Sequence, residues 1–383
     1  MKEQADIFDE LSQVINLEIY NQIRCNSENL IFVTSPQYND RIKRILDVLD
    51  CVSGSISVVK HLADINGLSE IPHGKTIIVI GHDNTHICIE LAFTYSNKIV
   101  FCNEHELDKI YEFSLLAKFK DKINEMYSCL SDDISKKVIS NILLARITGD
   151  YSYIKAIRDT NCDNEYFDIN IMKYPSSNES FIDAGAYVGD TLGRFLRYVD
   201  FKFETAFLFE PDRENFNILE KQINRKSLTE ITPHQLEQLD ISDISSKLSI
   251  HNVGVFDKQT RLEFSGKIGM SSHVKDGIAM KVDKRNNYYI NVIKLDDFID
   301  ASARISMIKM DIEGSESEAL MGCERIIRKD TPKLMICIYH KPNHLWDIPL
   351  QIKSILPDYE LYIRHYGAEL WDTICYAIPE NKK

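Results

Sequence analysis

Residues 181–191, Phe-Ile-Asp-Ala-Gly-Ala-Tyr-Val-Gly-Asp-Thr, constrain this chain more than any other stretch. An apolar run ends near Asp183, glycines sit at 185 and 189, and Thr191–Leu196 starts a plausible helix. Strand, glycine turn and helix in that order open an α/β domain. Glycines let the strand-to-helix turn lie against a nucleoside and its tail. Twenty-five residues after Gly185, the next apolar run ends in Phe209-Glu210-Pro211. An acid at the tip of a second strand is placed to accept both hydroxyls of a ribose. Asp183 suits an ammonium group, through a charge-assisted hydrogen bond.

A dinucleotide fits this turn poorly. Such sites repeat glycine two residues after the first, to receive a pyrophosphate at a helix N-terminus. Here that position is Tyr187, and Asp190 would repel phosphate at the helix start. A cationic sulfonium without phosphate suits an acidic turn better, which points to S-adenosylmethionine.

The rest of this half continues the alternation of strand and helix. Strands are expected at Ser180–Ala184, Thr205–Phe209, Leu248–Val253, Ile305–Met310 and Leu334–Ile338, and a closing hairpin at Glu360–Ile363 and Thr373–Ala377. Arg261–Phe264 and Tyr289–Val292 read as an extra β excursion, and Ser315–Arg328 as a helix.

The order D-A-G-A-Y-V-G-D-T, F-E-P-D-R-E-N-F, I-K-L-D-D-F and I-K-M-D-I-E-G-S-E resembles the FkbM family of methyltransferases. The likeness runs from about Tyr166 to Pro379 and extends weakly into Ser131–Tyr153. It implies a class I, Rossmann-like methyltransferase domain with a seven-stranded mixed sheet. It also implies S-adenosylmethionine as cofactor, and a hydroxyl acceptor on a sugar, glycan precursor or secondary metabolite. Matched onto this sequence, the cofactor contacts are Asp183, Gly185, Ala186, Tyr187, Gly189, Glu210 and Pro211. The family commonly has Asn where this chain has Tyr187.

Ligands gather at the carboxyl ends of the strands of an open α/β sheet. Ile308-Lys309-Met310-Asp311-Ile312-Glu313 ends one strand, and period-two alternation puts Lys309, Asp311 and Glu313 on one side. Asp311 and Glu313 could bind an acceptor hydroxyl, hold a divalent metal or cap the following helix. His340, at the end of the next strand, has the intrinsic pKa of a general base for a hydroxyl proton. A hydrogen-bonded structural histidine is the competing reading. His344, Trp346, His365, Tyr366 and Trp371 could line an acceptor pocket or belong to the core. The expected reaction is direct displacement aided by His340, or by Asp311 and Glu313. The alternatives are a metal-assisted methyltransferase using Asp311 and Glu313, and a non-catalytic module that binds adenosylmethionine or a partner.

Short Ile/Val-rich runs at Leu30–Val33, Ile56–Val59, Thr76–Ile80 and Lys98–Cys102, with amphipathic stretches at Asp40–Leu49 and Thr85–Phe93, predict a small parallel α/β domain. Gly81-His82-Asp83-Asn84 follows a strand but lacks repeated glycines. Helical patterning then runs to about Ile154, with Ser131-Asp132-Asp133 offering N-capping oxygens to Ile134–Ile147. The chain therefore divides into an α/β domain (1–104), a helical linker (105–178) and the methyltransferase domain (179–383).

The net charge of −13 argues against nucleic acid as a partner, because no basic field collects phosphates. Nine scattered cysteines without C-x-x-C spacing suggest reduced thiols. The start MKEQADIFDE has no apolar signal core, and no apolar run is long enough to span a membrane. The expectation is a cytoplasmic enzyme of a small-molecule or glycan acceptor, with homo-oligomer formation left open.

Overall fold

A computed structural model describes residues 30–34, 58–61, 76–80, 98–101, 116, 118–148, 151–225, 241–265, 273–274 and 287–380. The chain divides into two units. Met1–Thr160 with Ile363–Thr373 form the first, and Asn161–Tyr362 with Ile374–Lys383 the second.

In the first unit the four apolar runs are β1 (Leu30–Thr34), β2 (Val58–His61), β3 (Thr76–Ile80) and β4 (Lys98–Phe101). They form one parallel sheet in the order β2-β1-β3-β4, with Ile31 opposite Val58 and Ile77. The amphipathic stretches expected at Asp40–Leu49 and Thr85–Phe93, and the turn Gly81–Asn84, lie outside the described residues. Helix α1 (Asp133–Thr148) begins where the capping oxygens predicted it. Asp132 Oδ1 accepts the Ser135 N–H at 2.7 Å, and Ile139, Ile142 and Leu143 are buried.

The second unit carries β5 (Ser180–Ala184), β6 (Thr205–Phe209), β7 (Leu248–His251), β8 (Gly254–Phe256), β9 (Thr260–Ser265), β10 (His273–Val274) and β11 (Asn287–Lys294). β12 (Met307–Met310), β13 (Lys333–Cys337), β14 (Tyr359–His365) and β15 (Thr373–Pro379) follow, with Ile363–His365 and Thr373 counted in the first unit. Seven of these form a mixed sheet in the order β14-β15-β13-β12-β5-β6-β7. The run from β13 to β7 is parallel, and β15 is antiparallel to β13. Every residue of β5 and of β12 is buried, as strands at the middle of a parallel sheet should be, the charged Asp183 and Lys309 included.

Helix α2 (Asp190–Tyr198) puts Leu192, Phe195 and Leu196 on its inner face, and Phe195 stacks on Phe181 of β5 at 4.5 Å. Helix α3 (Arg213–Arg225) follows β6, and Asp212 accepts the N–H groups of Glu214 and Asn215 at its start.

Two expected elements are divided. Leu248–Val253 is not one strand. The chain leaves the main sheet after His251, and β8 joins a second sheet in the order β10-β9-β11-β8. At that crossing Asn252 Nδ2 donates to the carbonyls of Glu210 and Pro211. The helix expected over Ser315–Arg328 is two helices, α4 (Glu316–Gly322) and α5 (Glu324–Asp330). A Cβ on Gly322 would sit 2.0 Å from the carbonyl oxygen of Phe256, so α4 ends against the backbone of β8. Asp296 starts α5 afresh, accepting the N–H groups of Arg325 and Ile326 at 2.9 and 3.0 Å. A last helix, α6 (His344–Ile355), follows β13.

Candidate functional site

The turn between β5 and α2 is shaped by its two glycines. Gly185 has φ +85°, and a Cβ there would lie 1.8 Å from the Asp311 carbonyl oxygen. Gly189 has φ +95° and faces Leu219. Tyr187 between them takes φ +47°, a region Asn enters more readily than an aromatic residue. Gly185 and the buried Ala186 both donate their N–H groups to the Phe209 carbonyl, at 2.9 and 3.0 Å. The turn is thereby fastened to the tip of β6.

Glu210 occupies that tip and is only 6 % exposed. Its Oε2 accepts the Tyr187 N–H at 2.9 Å and its Oε1 the Asp212 N–H at 2.8 Å, across Pro211. Burial pushes its carboxyl up to about 7, against the pull of those two N–H groups. A carboxylate has about four acceptor positions, so two remain for further donors.

Asp183, read from the sequence as a partner for a ligand's ammonium, is fully enclosed, and the ammonium beside it is that of Lys309. The two stand directly opposite each other in the β5–β12 register, with Nζ 3.0 Å from Oδ1. Lys309 Nζ also donates to the Gly185 carbonyl at 2.6 Å. Burial raises the Asp183 carboxyl to about 6, with Lys309 opposing that rise. Burial pulls the Lys309 ammonium down, but Asp183 and Asp311 outweigh it and hold it above its ordinary value.

Asp311, Glu313 and His340 come together at the ends of β12 and β13. His340 Nε2 is 3.3 Å from Asp311 Oδ1 and 3.5 Å from Glu313 Oε2. Asp311 accepts hydrogen bonds from the Tyr166 and Tyr339 hydroxyls at 3.0 and 3.1 Å. Glu313 takes φ +55° and Gly314 φ +100°, so the backbone bends sharply where these acids project.

Behind them lies Glu316, which the sequence reading passed over. It is fully buried, with Oε1 2.8 Å from His340 Nδ1 and Oε2 3.2 Å from His344 Nδ1. The N–H of Ile312 also donates to Oε1, at 3.0 Å. Burial would pull the His340 ring down, but Glu316, Glu313 and Asp311 raise it to about 9. Burial would raise Glu316, and the two histidines hold it well below the usual carboxylate range.

Lys309, Tyr166, Tyr339 and Glu316 are the residues that sequence reasoning did not assign. A lysine inside an otherwise apolar strand was the available signal for the first. For Tyr166 and Tyr339 there was none, since their partner Asp311 is distant in sequence. The remaining aromatic and histidine candidates separate. Trp346 is buried in α6 and His344 faces Glu316. His365, in the first unit, is fully buried with Nδ1 2.9 Å from Thr373 Oγ1, and burial pulls it down to about 3. Among the described residues, Asp311, Glu316 and His340 could offer ligand atoms to one metal, all within 4.8 Å of one another. Among those residues, no helix is long and apolar enough to cross a membrane.

The family described as "Methyltransferase FkbM domain" matches residues 183–370. No curated protein matches the chain. Among solved structures, the methyltransferase FkbM from Methylobacillus flagellatus is similar with a TM-score of 0.62 and 18 % identity, over 97 % of this chain and 100 % of that one. At that identity the likeness bears on the fold. An rRNA methylase from Streptococcus thermophilus matches over 54 % of this chain and 88 % of its own, with 9 % identity and a TM-score of 0.31. TrmK of M. capricolum, solved with S-adenosyl-homocysteine, matches over 56 % and 67 % with 12 % identity and a TM-score of 0.30. These two scores are too low to carry an argument.

Proposed function

Because residues 183–370 of this methyltransferase are an FkbM domain, we propose that it moves a methyl group from S-adenosylmethionine to a hydroxyl oxygen of a sugar, glycan precursor or secondary metabolite. The observation that carries the cofactor reading is Glu210, a buried carboxylate at a strand tip with acceptor capacity left over. Two neighbouring ribose hydroxyls would use that capacity. The turn at Gly185 leaves no room for a side chain because it packs on the Asp311 carbonyl, which fixes the turn beside the end of β12. When bound, the cofactor would supply the methyl group from a cationic sulfonium, whose leaving group is a neutral thioether.

The chain's own residues have three tasks in this reading. Asp183 and Lys309 hold the turn in shape through the Gly185 carbonyl. Glu210 orients the ribose, with Tyr187 and Asp212 fixing its carboxylate. His340 takes the hydroxyl proton at Nε2, beside Asp311 and Glu313. With its ring raised to about 9, His340 carries a proton at neutral pH, so the base form grows as pH rises through that value. Most of the acceleration comes from alignment of the acceptor oxygen.

Titration calorimetry with S-adenosylmethionine, on the wild type and on Glu210→Ala, tests the cofactor reading. Two hydrogen bonds to a charged group are worth about 1.5–3 kcal/mol each, so the variant should bind at least about a hundredfold more weakly. Unchanged affinity rejects the ribose assignment. Incubating lysate or glycan extract with methyl-labelled cofactor, followed by mass spectrometry, identifies the acceptor; label on nitrogen or carbon only would reject the hydroxyl.

A further inference from the structure

We propose that Glu316 is a positioning residue: by engaging Nδ1 of His340 it keeps the proton of the neutral ring on that nitrogen and leaves Nε2 as the proton acceptor at the ligand edge. The inference rests on the methyl-transfer reading for its consequence, but its geometry stands apart from the cofactor. Glu316 has no solvent exposure and the His340 side chain only 5 %, so water does not compete for their 2.8 Å contact. The carboxylate is itself held in place, since its Oε1 accepts the N–H groups of Ile312 and Gly314 at 3.0 and 3.4 Å. It is thus tied to the same turn that projects Asp311 and Glu313. The ring cannot turn Nδ1 away from Glu316 without abandoning a buried carboxylate, which is costly.

A second nitrogen pair sharpens the point. His344 Nδ1 lies 3.2 Å from Glu316 Oε2, so each carboxylate oxygen faces a histidine nitrogen on the inner side. The outer nitrogen of His340 alone faces the acids of the turn. Transfer is balanced: the hydroxyl O–H bond breaks as Nε2–H forms, and the resulting imidazolium is compensated by Glu316 through Nδ1–H. The charged groups around the ring are Glu316 from α4, His344 from α6, and Asp311 and Glu313 from the turn after β12. Lys341 packs against Gly314 of that turn, and the Tyr339 ring lies 4.1 Å from His340.

Histidine-selective 15N labelling of the full chain, with His340 assigned from a His340→Gln variant, reads both tautomer and titration. In the wild type above its midpoint, the neutral ring should show the Nδ1–H form. In Glu316→Gln, whose amide can donate to Nδ1, the Nδ1–H share of the neutral ring should fall. A purely packing role for Glu316 would leave the tautomer unchanged in a variant that still folds. An Nε2–H tautomer in the wild type, or an unchanged tautomer in Glu316→Gln, overturns the proposal. Should that variant not fold, the wild-type tautomer decides alone. S-adenosylmethionine affinity is measured on the same sample. The expected tautomer without any affinity keeps the Glu316–His340 pair and removes the cofactor reading instead.

Discussion

Replacing Lys309 with methionine should destabilise the protein in a way that grows with pH. In the wild type, the Asp183 carboxyl sits at about 6 in the fold against an ordinary 3.8. Its raised value means that its stability contribution is full below 3.8 and is lost as pH rises through 6, so above pH 7 it adds no slope. Without the ammonium 3.0 Å away, the enclosed carboxylate has no compensating charge and keeps a proton instead. The native state then binds one more proton than the unfolded chain, and stability falls by about 1.4 kcal/mol per pH unit.

The size follows from the same numbers. At pH 7 the neutral carboxyl costs about 4 kcal/mol relative to the unfolded chain, whereas the wild-type pair already carries about 3 kcal/mol. The ionic loss is therefore about 1 kcal/mol at pH 7 and about 4 kcal/mol at pH 9. Losing the bond to the Gly185 carbonyl adds about 1 kcal/mol at every pH. Urea unfolding of both proteins at pH 7, 8 and 9, followed by tryptophan fluorescence, measures the difference. Groups unaffected by the change cancel between the two proteins. A difference that stays flat across those three pH values would refute the enclosed-pair argument.

Two further substitutions probe how α4 and α5 are set. Asp296→Ala removes the acceptor for the Arg325 and Ile326 N–H groups and should cost about 1–2 kcal/mol by urea unfolding; no loss would mean that water caps α5 equally well. Gly322→Ala places a Cβ 2.0 Å from the Phe256 carbonyl, so β8 or α4 must shift, at about 1–3 kcal/mol; a wild-type unfolding midpoint would show that the close approach is not rigid.

The strands of the main sheet were legible because they are short, apolar and bounded, and β5 and β12 are buried along their whole length. The glycine turn was legible because positive φ at Gly185 and Gly189 leaves a mark in residue type. What escaped depends on partners far apart in sequence. Leu248–Val253 reads as one strand until Asn252 is seen bridging to Glu210 and Pro211 and β8 joins another sheet. Residues 315–328 read as one helix because the obstacle that ends α4, the Phe256 carbonyl, belongs to another element. Lys309 carries its charge in plain view, but only the β5–β12 register sets it against Asp183. Glu316 reads as an ordinary helix-start acid, and nothing local distinguishes it from one that solvent covers.

His340 and His365 make the same point through chemistry. Both rings are buried, and burial alone pushes an imidazole towards its neutral form. His365 has Thr373 as its side-chain partner and falls to about 3, so it stays uncharged at any ordinary pH and serves the packing of its unit. His340 meets three carboxylates, from Glu316, Glu313 and Asp311, and is driven the other way, to about 9. Glu210, also buried, is shifted to about 7. The raised carboxyl of Glu210 works against folding near neutral pH, whereas the raised His340 favours it, and groups shifted this far concentrate where a ligand is bound. An edge with these acids offers little to a phosphate and a complementary surface to a cation, which is the charge preference that the proposed sulfonium cofactor needs.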